Sequence, residues 1–167
     1  MLNLKFKRLS PTMTVPTKAH LTDACFDLYA DCPDSEYYMP LKSDVGLTGR
    51  SPYIKGGITI SPHETVLVST GFSTNIPHGY WGAIFARSGV ATKKGLRPAQ
   101  GVPVIDEPYT GDWKIPLHND SDEIQVILHG DRIAQFMLLP YFDTQLIEVD
   151  ELDSTDRGSG GFGSTGK

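Results

Sequence analysis

The sequence predicts an all-β domain, a sandwich, jelly roll or barrel, with one short helix. Apolar and β-branched residues fall in many short runs, and 17 glycines and 12 prolines punctuate them. Only Gly89 to Lys94 reads as helix, about two turns at most. With 167 residues, 39% hydrophobic and 21% charged, the chain is long enough for one domain with a true core.

The expected strands follow in order. Leu2 to Phe6 alternates, Phe26 to Ala30 and Tyr37 to Leu41 are brief apolar runs, and Tyr53 to Ile60 leads into a turn at Ser61-Pro62-His63. Thr65 to Ser69 and Tyr80 to Ala86 are β-prone. Gly101 to Asn119 reads as a β-hairpin: Val102 to Ile105, a turn cluster at Glu107 to Gly111, then a strand with Trp113, Ile115 and Leu117 on one face. Ile124 to Leu128 and Ile133 to Leu139 are near-continuous apolar runs, as strands buried between two layers would be, and Gln145 to Val149 closes the ordered part. Residues 43–57, with four glycines and Pro52, read as a surface insertion and a candidate contact for a protein partner. Residues 1–150 form the expected body, and 151–167, charged and then Gly/Ser-rich, form an arm unable to bury enough apolar surface to fold alone.

Composition excludes several function classes. A net charge of −5 argues against direct nucleic-acid or membrane-surface binding, although a local arginine cluster can still hold a small anion. No apolar run reaches signal or transmembrane length, and Cys25 and Cys32 make no disulfide scaffold, so a cytoplasmic location is expected. The five histidines form no metal-binding pair at helical spacing.

Five segments carry chemistry. Arg87-Ser88-Gly89, between a strand and the helix, is either a phosphate-binding turn or an ordinary capped turn. In the 101–119 hairpin, Asp106 supplies a carboxylate and Tyr109 an aromatic with a polar end; the tip is either a plain surface turn or a backbone pattern that reads the edge of a planar ring. Gly130 to Gln135 enters a strand: Asp131 and Arg132 read as a turn and local ion pair, whereas Gln135 is an amide needing partners inside an apolar run. Asp27, near a strand start, is a turn residue or faces a hydrated divalent cation. The arm is a linker, or a wrap for phosphates in which Phe162 stacks on a ring.

Together, Arg-Ser-Gly, Val-Ile-Asp-x-x-Tyr, Gly-Asp-Arg-Ile-Ala-Gln and Arg-Gly-x-Gly-Gly-Phe-Gly-Ser-Thr-Gly, in this order across residues 19 to 166, resemble the motifs of the trimeric dUTPase family. The resemblance implies a jelly roll, or distorted β-barrel, in a homotrimer with shared active sites. It implies Mg²⁺-assisted hydrolysis of dUTP to dUMP and diphosphate, which limits uracil incorporation into DNA and supplies dUMP for thymidylate synthesis. By position, Asp106 matches the base that activates the attacking water, and Tyr109 the aromatic under the deoxyribose. Arg87, Ser88 and Gly89 match the phosphate turn, and Gln135 the strand amide at the nucleotide. Asp27 matches an outer-shell partner, through water, of a metal held mainly by substrate phosphates. Gln100, Val104, Ile105 and Lys114 lie where the hairpin meets the nucleoside; Arg157 and Phe162, with Gly161, Gly163 and Ser164, match the closing arm. The family usually has Gly at Cys25, often Gly at Pro103, and Asp at Pro108; each proline removes an N–H from the hairpin backbone. A dCTP deaminase and a non-catalytic nucleotide-sensing module are the rival readings, and the intact hairpin motif and glycine-rich arm favour hydrolysis.

Overall fold

The computed structural model describes residues 2–37 and 54–161. Most of the 43–57 segment, and with it the expected partner surface, lies outside the described residues, as do Phe162, Gly163 and Ser164.

The described chain is built of strands: β1 (Lys5–Arg8), β2 (Phe26–Tyr29), β3 (Glu36–Tyr37), β4 (Ile54–Lys55), β5 (Gly57–Ile60), β6 (Thr65–Val68), β7 (Phe72–Asn75) and β8 (Tyr80–Phe85). The helix α1 (Ser88–Lys94) follows, then β9 (Leu96–Pro98), β10 (Val104–Ile105), β11 (Ile115–Asn119), β12 (Gln125–Leu128) and β13 (Arg132–Pro140). One sheet has the order β10-β8-β13-β2 and a second β6-β11-β9; β1-β7, β12-β5 and β3-β4 form two-stranded pairs. All named pairings are antiparallel.

Period-2 patterning positions the core. In β11, Ile115, Leu117 and Asn119 point inward while Pro116 and His118 are half-buried between them. Ile115 and Leu117 join Leu28, Ile84, Ala134 and Phe136 of the four-stranded sheet in one apolar cluster. Trp113, fully buried, packs edge-on against Phe72 (5.2 Å between centroids) and Phe136 (4.9 Å), which joins the two layers through aromatic contacts. Gly82 makes room for it: a Cβ there would lie 2.8 Å from the Trp113 ring and 3.2 Å from Ile105 Cβ.

Three expectations need correction. The 101–119 stretch is not a hairpin, because β10 pairs with β8 and β11 pairs with β6 and β9. Its two arms belong to different sheets, and the segment between them bridges the layers. Gln145–Val149 forms no strand; Leu146, Ile147 and Val149 are 92%, 74% and 55% exposed, and regular structure ends at Pro140. Among the described residues the segment pairs with no other strand. The half-buried and exposed positions of β12 and β13 also show that these apolar runs are not covered on both faces. Two short strands escaped the sequence reading. β7 buries the polar Ser73 and Thr74 beside Phe72, and β9 is only Leu-Arg-Pro, so neither carries an apolar run.

Candidate active site

Three neighbouring strands assemble a first cluster. Asp27 of β2 lies opposite Gln135 of β13, and Gln135 lies opposite Phe85 of β8, two residues before Arg87. Asp27 Oδ1 accepts from Arg87 Nε at 2.6 Å, and Oδ2 accepts from an Arg132 terminal nitrogen at 3.3 Å. Arg132 stands three positions before Gln135, an odd spacing that would point the two to opposite faces of a regular strand. A β-bulge between Arg132 and Ala134 inserts the extra residue that restores them to one face. Gln135 Nε2 donates to the Ala86 carbonyl at 2.9 Å, leaving its amide oxygen as an acceptor. Asp27, Arg87 and Gln135, with Ala19, Asp23, Ala24 and Cys25, line a cavity of about 330 Å³.

The feature of this pocket that suits an anion is the Arg87 guanidinium. One carboxylate faces two guanidiniums, and Asp23 is engaged by the His20 backbone N–H at 2.8 Å. Only Nε of Arg87 has a partner among the described residues, so its terminal nitrogens remain available as a bidentate donor. Ser88 and Gly89 open α1; Arg87 is its N-cap, and no side chain caps the first turn. A Cβ at Gly89 would meet nothing within 4 Å, so internal packing does not demand glycine there. Cys25 borders the same cavity with its thiol pushed above the ordinary value, chiefly by burial. It is no activated thiolate.

A second cluster surrounds Asp106. Val104, Ile105, Asp106, Tyr109, Asp112, Lys114 and Leu67 line a cavity of about 260 Å³. Tyr109 is fixed at both ends, its N–H donating to Asp106 O at 3.0 Å and its hydroxyl to Asp112 O at 2.8 Å. Asp112 is anchored in turn by Ser69 Oγ at 2.6 Å. Gly111 leaves the ring its place: a Cβ there would lie 2.5 Å from the Tyr109 hydroxyl oxygen. Asp106 is exposed, and its carboxylate has no hydrogen-bond partner among the described residues. It also borders a cleft of about 530 Å³ lined by Trp81, Val104, Glu107, Pro108 and Tyr141. Pro103 is buried and its carbonyl accepts from Ile84 N–H at 3.1 Å, so this proline closes the sheet edge.

The two clusters do not meet within one chain. β10 and β2 are opposite edges of the four-stranded sheet, three strand spacings or about 14 Å apart. Gln100 sits in an exposed turn after β9, its carbonyl accepting from Val102 N–H at 2.9 Å, and lines neither cavity. Arg157 folds back on its own segment, Nε donating to Gly160 O at 2.9 Å, and Gly161 is exposed. Among the described residues, no group of three His, Cys, Asp or Glu side chains is arranged to hold a metal. Asp27 offers a single carboxylate already engaged by two arginines, which fits contact through water and not direct ligation.

Sequence reasoning missed Arg132 as an Asp27 partner, Gly111 and Asp112 as supports of Tyr109, and Leu67 as cavity lining. The Tyr-x-Gly-Asp spacing was visible, but nothing in it says that the ring folds over the glycine. The pairing of β2 with β13 leaves no local signal at all.

Comparison with known proteins agrees with this geometry. A family model described as dUTPase matches residues 39–166. The deoxyuridine 5'-triphosphate nucleotidohydrolase of Saccharomyces cerevisiae is 37% identical over 164 residues, covering 98% of this chain and 94% of the yeast protein. That of Desulfitobacterium hafniense is 47% identical over 110 residues, covering 65% of this chain and 73% of the bacterial protein. The structure of a Staphylococcus bacteriophage 80alpha dUTPase variant with dUpNHpp superposes with a TM-score of 0.78 at 25% identity, covering 100% of both chains. The fold is accordingly the jelly roll that the sequence led us to expect, and this chain belongs to the dUTPase family.

Proposed function

We propose that this protein hydrolyses dUTP to dUMP and diphosphate, with Asp106 as the general base for water attacking the α-phosphorus. The observation that carries the reading is the division of labour between the clusters. One presents unpartnered guanidinium nitrogens, an uncapped helix start and a bare glycine backbone; the other presents a rigidly held tyrosine beside an unpartnered carboxylate.

In this mechanism Arg87, Ser88 and Gly89 bind the phosphates, and Gln135 supplies an amide at the nucleotide. Val104, Ile105 and Lys114 contribute backbone groups that read the uracil edge. A cytosine donor placed against a donor there would leave a mismatched polar pair costing about 1–3 kcal/mol. Tyr109 packs under the deoxyribose and leaves no room for a 2′-hydroxyl. Asp106 aims the water and accepts its proton; phosphoryl transfer needs such positioning more than covalent catalysis. Mg²⁺ bound with the triphosphate would offset negative charge on its oxygens, and Asp27 would meet it through water. Arg157, Gly161, Phe162, Gly163 and Ser164 form the arm, residues 151–167, that closes over the bound nucleotide and excludes other water.

The separation of the clusters supports a homotrimer with shared sites. In such an assembly Asp27, Arg87 and Gln135 of one subunit would face the Asp106–Tyr109 segment of another, their own lying on the far sheet edge. The exposed Leu146, Ile147 and Val149 fit burial against a neighbour. Two free thiols agree with a reducing, cytoplasmic setting.

The deciding measurement is diphosphate release from a panel of dNTPs with and without Mg²⁺. Release from dUTP alone, strengthened by Mg²⁺, is the expected result. Ammonia from dCTP, or dUTP binding without turnover, overturns the proposal.

A further inference from the structure

The carboxylate next to Asp106 in sequence is among the most heavily hydrogen-bonded side chains on the surface. Glu107 Oε2 accepts from the Tyr141 hydroxyl at 2.8 Å, from Gly79 N–H at 3.1 Å and from His78 Nδ1 at 3.1 Å. These donors come from two remote places, the β7–β8 turn and the residue at which the chain leaves β13. The two places are themselves joined, since Tyr141 N–H donates to Gly79 O at 3.0 Å. The Tyr141 bond is the main reason the Glu107 carboxyl is held below its ordinary pKa and the Tyr141 hydroxyl above its own. On the other side of Asp106, Tyr109 N–H donates to the Asp106 carbonyl. Asp106 thus stands between two anchors while its own carboxylate is free.

We infer that Glu107 is a positioning residue: it fastens the Asp106–Tyr109 turn to the strand exit at Tyr141 and so fixes where the base points. This rests on the dUTP-hydrolysis reading above. A surface ion pair alone would matter little, and His78, 77% exposed by its side chain, contributes least. The backbone N–H and the phenol matter because they reach a neutral turn and a strand end that cannot drift independently. A displaced base misaligns the water without altering how the nucleotide is held, so the effect belongs in kcat.

The test compares steady-state dUTP hydrolysis and thermal melting of Glu107→Ala, Glu107→Gln, Tyr141→Phe and the Glu107→Ala/Tyr141→Phe double variant. Glu107→Ala should lower kcat about tenfold with KM within about twofold. Glu107→Gln, which keeps an acceptor for both Tyr141 and Gly79, should recover at least about half of the logarithmic loss. Tyr141→Phe should lower kcat about threefold, and the double variant should be no slower than Glu107→Ala, because the same contact is removed once. Should Glu107→Ala fail to fold, Tyr141→Phe and Glu107→Gln carry the comparison. Unchanged kcat in Glu107→Ala, a loss confined to KM, or fully additive losses would overturn the inference. Absence of wild-type turnover on dUTP would instead overturn the reading on which it rests.

Discussion

Arg87 and Asp27 are joined by a 2.6 Å hydrogen bond between Nε and Oδ1, and the opposite oxygen of the same carboxylate holds Arg132. Asp27 therefore both orients the guanidinium that remains open to an anion and offsets part of its charge. Its side chain is 12% exposed, so solvent screens this arrangement only weakly. Replacing it with Asn should free both arginines and remove a charge-assisted bond, lowering stability by about 2 kcal/mol in urea titration. Diphosphate release should fall about tenfold or more, and added Mg²⁺ should not restore it. Full activity in Asp27→Asn would show that the arginines need no anchor.

If sites are shared between subunits, two inactive chains should rescue one another. Asp106→Asn removes the proposed base and Arg87→Ala the proposed phosphate donor, so each assembly should turn over poorly. Unfolded together in equal amounts and refolded, they should reach about a quarter of wild-type turnover, since each site then needs one subunit of each kind in a set order. No gain over the separate variants would place both residues in a single-chain site.

Gly111 is required by the Tyr109 ring and not by its own backbone angle. Gly111→Ala puts a Cβ 2.5 Å from the phenol oxygen and 2.6 Å from Cζ, so the ring must swing away and lose its bond to Asp112 O. The fold should lose about 1 kcal/mol. Discrimination between dUTP and UTP should fall more steeply, about tenfold in the ratio of kcat/KM, if the ring fills the 2′ position as proposed. An unchanged ratio would detach Tyr109 from sugar selection.

Cys32 ties stability to alkaline pH. Burial first, then the charges of Asp31 and Asp131, push its thiol from the ordinary 9.0 to about 11. The folded state keeps this proton after the unfolded chain has released it. The thiol's contribution to stability is complete below about pH 9 and lost as the pH climbs toward 11. Denaturation of Cys32→Ala should show a shallower decline across that window than the wild type. Equal slopes would mean the burial is too loose to matter.

The strands at Thr65, Tyr80, Ile115 and Ile133 were legible in the sequence because each carries its own apolar run, and the helix because Lys93 and Lys94 fill its last turn and Gly95 closes it. Arg87, Asp106, Tyr109 and Gln135 were legible as chemical groups, each in a recognisable segment. β7 was not, since its buried Ser73 and Thr74 read as polar, and the 101–119 stretch was misread as a hairpin because local turn chemistry says nothing about which strand an arm will pair with.

The sequence by itself determined the family, the all-β architecture and the inventory of reactive groups, because these reside in residue types and short spacings. Tertiary structure alone decided how the groups combine. The bulge in β13 turns Arg132 onto the face of Asp27, the folding of Tyr109 over Gly111 fixes the place of its ring, and the order β10-β8-β13-β2 parts Asp106 from Arg87. Strand partners and side-chain parity are long-range choices, set by which edges meet when the core closes, and no window of sequence contains them.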